Sequence, residues 1–142
     1  MPWDRVDYRD LTAKQKEAFN FAKLSAVLAD YGFSCTRVVD DDKGPDFVAY
    51  HAPSGRMLPV QQKSALSVHW VYEGKGLWIA FHVDQVWYLL EHDVLRDLVD
   101  EVTPQARFTP TRIREKRYFT HHPSKRLLAK LEPYRMSAGK SV

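Results

Sequence analysis

The sequence predicts an α+β fold in which a mixed β-sheet is flanked by helices. A helical pattern near the N-terminus is followed by a run of short strand patterns and then by a second helical pattern. The chain has 142 residues, 44% of them hydrophobic, which suits one packed domain and is too few for two. We expect a core over residues 1–103 and a basic C-terminal extension over residues 104–142 that packs on it.

The first helix is predicted from its start signal, its apolar spacing and its stop signal. Thr12 and Gln15, three positions apart, form a capping-box pattern. Apolar residues then recur at helical spacing through Leu24 and Leu28, and Gly32 supplies the stop.

The strand patterns follow in series and are separated by turn residues. They cover residues 33–39, 46–52, 57–66, 77–83 and 86–90, and residues 67–72 are expected to continue extended. The pattern at 77–83 is apolar almost throughout, which indicates a strand buried on both faces. A second helix is predicted from His92 until Pro104, and a short one from Ser124 until Pro133.

The net charge of +3 is unevenly divided along the chain. Residues 1–100 carry 11 Lys and Arg against 15 Asp and Glu, whereas residues 101–142 carry 10 against 3. A basic segment attached to an acidic body suits a polyanionic partner such as nucleic acid. Two other interpretations stay open: the basic charges serve solubility, or they pair with the acidic body of a second copy in a homodimer.

Neither a membrane nor a secreted setting is indicated. No apolar run approaches the length of a membrane span, and the N-terminus lacks the basic-then-apolar layout of a secretory signal. Cys35 is the single cysteine and so has no partner for an internal disulfide. We expect a cytoplasmic protein. The sequence also lacks a zinc-ligand pattern and a glycine-rich phosphate loop.

Two neighbouring strands are predicted to bring an acid, an amide and a lysine together. Asp46 follows Gly44-Pro45 at the start of the second strand, and Gln61 and Lys63 lie on the third. The period of two places Gln61 and Lys63 on one face of that strand and Gln62 on the other. Such a set suits metal-assisted cleavage of a phosphodiester, with oxygens from Asp46 and Gln61 and a charge-stabilising Lys63.

The amide at position 61 makes the metal assignment conditional. Gln61 lacks the negative charge of a carboxylate, which lowers its affinity for a hard cation. Mg²⁺ or Mn²⁺ would be held by Asp46, Gln61, a main-chain carbonyl near Gln62 and several waters. The alternative is that Asp46 is a turn acid satisfying backbone N–H groups, Lys63 is a surface lysine, and the fold only binds.

Pro45-Asp46 and Lys63 resemble the motif of the PD-(D/E)xK nuclease superfamily, with Gln61 where an acid is usual. The resemblance covers residues 12–101, and the chain is also similar to a group of small bacterial proteins in which glutamine is common at that position. It implies a restriction-endonuclease-like core: a helix, a three-stranded meander, a helix and a further strand, with the active site on strands two and three. In some members of the superfamily an acid of the first helix also joins the metal site, which makes Glu17 a candidate ligand here; the alternative is that Glu17 is a solvated surface acid.

Further contacts to nucleic acid are expected beyond the third strand and in the extension. Ser64 is a candidate phosphate ligand, and His69, Tyr72 and Lys75 are expected at the surface, where they could touch phosphates. The candidates in the extension are Arg112, Arg114, Lys116 and Arg117. Charge contacts of this kind give affinity without sequence information, so they predict no target site. We expect the nucleic-acid partner to be DNA and not RNA.

Two functions therefore remain open from the sequence. One is a small metal-dependent nuclease acting on phosphodiester bonds. The other is a catalytically inactive module on the same fold, binding nucleic acid or another protein through the basic extension.

Overall fold

The computed structural model describes residues 2–38, 44–103 and 117–137, and it confirms an α+β fold with a mixed sheet flanked by helices. The helices are α1 (Ala13–Ala29), α2 (His92–Val102) and α3 (Lys125–Leu131). The strands are β1 (Phe33–Arg37), β2 (Phe47–His51), β3 (Arg56–Lys63), β4 (Leu66–His69), β5 (Trp78–Val83), β6 (Val86–Glu91), β7 (Arg117–Thr120) and β8 (Arg135–Met136). Single 3₁₀ turns lie at Tyr8–Asp10, Trp70–Tyr72 and Glu132–Tyr134.

The main sheet has six strands in the order β1-β2-β3-β5-β6-β8, and β4 pairs with β7 in a separate sheet. Neighbouring strands of the main sheet are antiparallel except β3 and β5, which are parallel. The chain between β3 and β5 leaves the main sheet through β4 and the 3₁₀ turn Trp70–Tyr72. That detour returns the chain to the edge of β3 in the same direction, which a hairpin would not do.

Helix α1 covers one face of the sheet, and its limits follow from local hydrogen bonds. The Thr12 hydroxyl accepts from the N–H of Gln15 at 3.2 Å, and Gln15 Oε1 accepts from the N–H of Thr12 at 2.8 Å. This is the predicted capping box. Gly32 follows the helix with φ of +86°, and a Cβ there would stand 3.0 Å from the Pro53 ring. Both the conformation and the close approach therefore require glycine.

Two apolar clusters fill the space on either side of the sheet. Under α1, Leu24 and Leu28 pack with inward residues of β2, β3 and β6. On the opposite face, Leu95 and Val99 of α2 and Leu127 of α3 pack with β4, β5 and β6. The sheet is thus the middle layer of the molecule, and the predicted burial of β5 on both faces is confirmed at its centre, residues 79–81.

The predicted third strand was wrong at its end. It was expected to run to Leu66 and to continue extended through Tyr72, but β3 ends at Lys63 and the chain then turns away from the main sheet. The chain is extended again over Leu66–His69, but as the separate strand β4, and Trp70–Tyr72 form a 3₁₀ turn. Leu66 and Val68 are fully buried in the cluster beneath α2. Burial of two large apolar side chains, each worth about 1.5–3 kcal/mol, favours this detour over a longer strand.

Residues 117–137 pack on the rest of the molecule through strands that the sequence pattern did not show. β7 pairs with β4, and β8 adds to the edge of β6 with Met136 opposite Trp87. Helix α3 was predicted, and Ser124 caps it by accepting from the N–H of Leu127 at 3.2 Å. Among the described residues, no helix is long and apolar enough to cross a membrane.

The capping box predicts a specific sensitivity of α1. Thr12→Ala removes the acceptor for the Gln15 N–H, and we expect it to lower the free energy of unfolding by about 1 kcal/mol. Thr12→Ser keeps the acceptor, so its free energy of unfolding should stay within about 0.3 kcal/mol of the wild-type value. Urea unfolding measures both, and equal losses in the two variants would show that the cap does not matter.

Candidate functional site

The predicted site lies at a fork in the main sheet, where β2 and β3 part. Strand pairing between them ends at Phe47 and Val60, whereas β3 continues for Gln61, Gln62 and Lys63 paired with β5. The side of β3 that faced β2 is therefore open over these residues. A polar cleft occupies the opening.

Asp46 stands at the base of the fork and is held on three sides. Its N–H donates to the carbonyl of Val60 at 2.8 Å, and its own carbonyl accepts from the N–H of Val38 at 3.2 Å. Its carboxylate oxygen Oδ2 accepts from the N–H of Gln62 at 2.7 Å. The side chain thus takes the place of a main-chain acceptor, and this bond both ends the ladder and orients the carboxylate.

The predicted alternation along β3 is confirmed. Gln61 and Lys63 lie opposite Ile79 and Phe81 of β5, which belong to the cluster under α2. Gln62 points to the α1 face, where its amide nitrogen donates to the main-chain carbonyl of Glu17 at 3.3 Å. Gln61 and Lys63 therefore lie on one face of β3 and Gln62 on the other, and all three border the opening between β2 and β3.

The cleft has a volume of about 600 Å³ and brings the predicted residues together. It is lined by the complete predicted set of catalytic and metal-binding residues: Asp46, Gln61, Lys63, Gln62 and Glu17. The other lining residues are Ser64, Tyr8, Ala13, Lys16, Asn20 and Tyr72.

Lys63 is half-buried at the end of β3, and its charge is costly there. Burial lowers the pKa of Lys63, the nearby Asp46 carboxylate raises it, and Arg117 of β7 lowers it again. The net effect is a pKa below the usual lysine range. The ammonium nitrogen lies 5.7 Å from the centre of the Tyr72 ring, a distance at which the ring's negative face attracts a cation.

Gln61 is 5% exposed, and its amide is committed to a partner. Its nitrogen donates to the Tyr72 hydroxyl at 2.8 Å, so the carbonyl oxygen is the atom that Gln61 presents to a ligand. Tyr72 was expected at the surface, and this was wrong: it is 6% exposed. The 3₁₀ turn places its ring near Lys63 and its hydroxyl against Gln61.

Buried His92 fixes the 3₁₀ turn that carries Tyr72. His92 Nε2 accepts from the N–H of His69 at 3.1 Å, so Nδ1 carries the proton and donates to Asp93 Oδ1 at 2.9 Å. Asp93 also accepts from the N–H of Gly74 at 3.0 Å. Burial acts to raise the pKa of Asp93, but these hydrogen bonds and Arg96 outweigh it, and the pKa is lowered. The first turn of α2 therefore ties down both ends of the segment.

The donors in the cleft fit a hard cation that keeps much of its water. Asp46, Glu17 and Gln61 line it, and their side-chain oxygens are of the kind that suits Mg²⁺ and Mn²⁺. Within residues 2–38, 44–103 and 117–137, no group of three or more His, Cys, Asp or Glu side chains is placed to hold a metal.

The predicted nucleic-acid contacts divide into three groups. Ser64 lines the cleft, and Arg117 is near enough to Lys63 to act on its pKa. Lys75 is exposed in the turn after Tyr72 and does not line the cleft. Arg112, Arg114 and Lys116 lie outside the described residues.

Tyr8, Lys16, Asn20 and Tyr72 line the cleft and were missed as site residues. Lys16 and Asn20 are four positions apart on α1, a spacing that was visible in the sequence. No local signal marks Tyr8 or Tyr72, because each reaches the cleft through side-chain contacts outside its own short segment: Tyr8 with Phe19 and Asn20, and Tyr72 with Gln61.

The order of elements agrees only in part with the one that the nuclease resemblance implies. Helix α1 and the meander β1–β3 come first, as expected, but β5 follows β3 without an intervening helix and α2 comes after β6. No family model, curated protein or solved structure matches the chain. Membership of the PD-(D/E)xK superfamily therefore stays a prediction, and function is inferred from the cleft.

Proposed function

We propose that the protein is a small metal-dependent nuclease that hydrolyses phosphodiester bonds of nucleic acid in the cleft at the β2–β3 fork. The observation that supports this is the meeting of Asp46, Gln61 and Lys63 in one polar cleft with Glu17 and Ser64. A half-buried lysine beside an oriented carboxylate is costly for the fold, and such arrangements cluster at functional sites.

Each residue has a role that follows from its position. Asp46, oriented by the Gln62 N–H, supplies a carboxylate with a fixed direction. Lys63 offers an ammonium group whose poor solvation strengthens its attraction to a phosphate oxygen. Gln61 offers an oxygen and is kept in place by Tyr72.

A bound Mg²⁺ or Mn²⁺ would be held by Asp46, Gln61, Glu17 and waters, and would supply an activated water and charge neutralisation at the phosphate. The chain itself contributes the orientation of donors and the positive charge of Lys63. Both are built before any substrate arrives, which is how enzymes avoid reorganisation during the reaction.

The second candidate is a catalytically inactive binding module. It is favoured by the amide at Gln61, which lacks the negative charge that a carboxylate would offer to a metal ion. In this case Arg117, close to Lys63, would contact phosphate as part of a basic surface. Binding would then be salt-sensitive and would not require Asp46.

Cleavage should depend on both charged residues of the fork. With Mg²⁺ or Mn²⁺ and plasmid, single-stranded DNA, branched DNA or RNA, we expect Asp46→Ala to reduce cleavage to background. We expect Lys63→Ala to reduce it by about 100-fold or more, the scale for loss of one charge-stabilising donor. Gel analysis of the products gives the rates and the substrate class.

Asp46→Asn is the matched control for this experiment. It keeps an acceptor for the Gln62 N–H, and so keeps the fork, but removes the charge. Cleavage that persists in the Asn variant would refute the proposed chemistry. Absence of cleavage in the wild type, with salt-sensitive binding that survives Asp46→Ala and weakens in Arg117→Gln, would establish the binding module.

The cleavage rate should begin to fall at a lower pH than it would if it depended on a fully solvated lysine. Burial lowers the pKa of Lys63, so its ammonium form is complete below that lowered pKa and is lost as pH rises through it. Lys63→Arg keeps its charge throughout and should show a lower rate without this alkaline decline. Rates measured from about pH 6 to about pH 11 test this, and the same decline in both proteins would exclude Lys63 as its source.

Placing an acid at position 61 should strengthen the metal site. The carboxylate introduced by Gln61→Glu would accept a hydrogen bond from Tyr72 in place of the present donation, so the change is accommodated while it adds a negative ligand. A tenfold gain in Mg²⁺ affinity adds about 1.4 kcal/mol to stabilisation by excess metal. Thermal melting with and without Mg²⁺ measures it.

Gln85→Glu, in the exposed β5–β6 turn, adds the same charge away from the cleft. We expect it to leave the metal-dependent shift unchanged. A larger shift in both variants would mean that only net charge matters.

A further inference from the structure

A stripe of aromatic and polar side chains leads out of the cleft along α1. Lys16, Phe19, Asn20 and Lys23 follow an i, i+3, i+4, i+7 pattern and so share one side of the helix. Tyr8, in the preceding 3₁₀ turn, packs on them. Tyr8, Lys16 and Asn20 also line the cleft, so the stripe, defined by these five residues, is continuous with it.

The stripe is held together by contacts among its own members. The Tyr8 and Phe19 ring centres are 5.2 Å apart, and Asn20 donates to the Tyr8 hydroxyl at 3.0 Å. Lys16 Nζ lies 5.4 Å from the Tyr8 ring centre, and Lys23 Nζ lies 5.3 Å from that of Phe19. Each aromatic ring thus has a lysine ammonium group over it, and the two rings contact each other.

Both rings remain accessible although the helix has an apolar core face elsewhere. Tyr8 is 36% and Phe19 40% exposed, whereas Leu24 and Leu28 of the same helix are fully buried. Ordinary core packing therefore does not explain why two neighbouring aromatic residues occupy the solvent side of α1. Exposed rings flanked by lysines have the composition of a surface that stacks bases and attracts phosphates.

We propose that the stripe binds an unpaired nucleic-acid strand, with bases stacked on Tyr8 and Phe19 and phosphates near Lys16 and Lys23. This inference rests on the proposed function of the cleft and assigns its substrate class: single-stranded nucleic acid, or the single-stranded part of a branched one. In a duplex the base faces are covered by their neighbours, so flat rings on a helix surface reach them only in an unpaired strand.

The spacing of Lys16 and Lys23 sets how much of the nucleic-acid strand fits on the stripe, and the position of the cleft sets where that strand leads. Lys16 and Lys23 are two turns apart on α1, a rise of about 10 Å, which is room for adjacent nucleotides of an extended strand. The strand enters the cleft past Tyr8 and Asn20 and there meets Ser64 and Lys63. The stacked nucleotides would lie next to the bond that is cut.

The test is fluorescence anisotropy of a labelled single-stranded oligonucleotide and of a duplex of equal length, in EDTA so that no cleavage occurs. We expect the single strand to bind at least about tenfold more tightly than the duplex. Tyr8→Leu and Phe19→Leu keep apolar bulk but remove the flat ring, and each should weaken single-strand binding by about tenfold. Lys23→Gln should reduce the slope of log affinity against log salt by about 0.7.

Three controls make the outcome specific. Tyr8→Phe and Phe19→Tyr keep the rings, so each should weaken single-strand binding less than the leucine variant at the same position does, although Tyr8→Phe also loses the hydrogen bond from Asn20. Tyr50→Leu removes a ring of similar exposure (43%) on β2, outside the cleft, and should have no effect. Thermal melting of every variant shows that the fold is intact. Equal binding of single strand and duplex, or equal loss in the Tyr50 variant, overturns the inference.

The result is separable from that of the cleavage assay. Ring-dependent single-strand binding without any cleavage supports the stripe and refutes the nuclease. Cleavage of duplex DNA without single-strand preference supports the nuclease and refutes the stripe. If Phe19→Leu instead changes the mass measured by light scattering, the stripe is an interface between copies of the chain and the inference is overturned.

Discussion

The hydrogen bond from the N–H of Gln62 to the carboxylate of Asp46, at 2.7 Å, decides the architecture of the site. It replaces the main-chain bond that would have continued the β2–β3 ladder, so the two strands part while β3 stays paired with β5. Without the Asp46 carboxylate, the N–H of Gln62 would lose its hydrogen-bond acceptor at the open edge of β3. One carboxylate thus both satisfies the backbone at the fork and becomes an oriented group in the cleft.

The fork collects groups that the rest of the fold must hold in place. Lys63 is half-buried beside Asp46, and its lowered pKa shows that the environment disfavours its charge. Tyr72 lies against Lys63 and receives the Gln61 amide, and it is held in turn by the bond from His69 to buried His92. Tyr72 therefore orients the Gln61 amide and lies beside the Lys63 ammonium group.

Residues 117–137 are part of the same arrangement. β7 pairs with β4 in an antiparallel sheet, and β4 leads directly into the 3₁₀ turn that contains Tyr72. Arg117 at the start of β7 acts on the pKa of Lys63, so the basic part of the chain reaches the cleft electrostatically. The exposed ring–lysine stripe of α1 lies on the cleft's other wall, where Lys16 and Asn20 line it. An anion in the cleft would therefore meet positive charge from both walls.

The sequence by itself determined the features that local chemistry sets. The Thr12 capping box, the Ser124 cap and the alternation that places Gln61 and Lys63 together are properties of a few adjacent residues, and all are present. Only the tertiary structure decided that β3 stops at Lys63 and that the short strands β7 and β8 form. These depend on burial and pairing between segments far apart in the chain, for which such short windows of sequence carry no periodic signal.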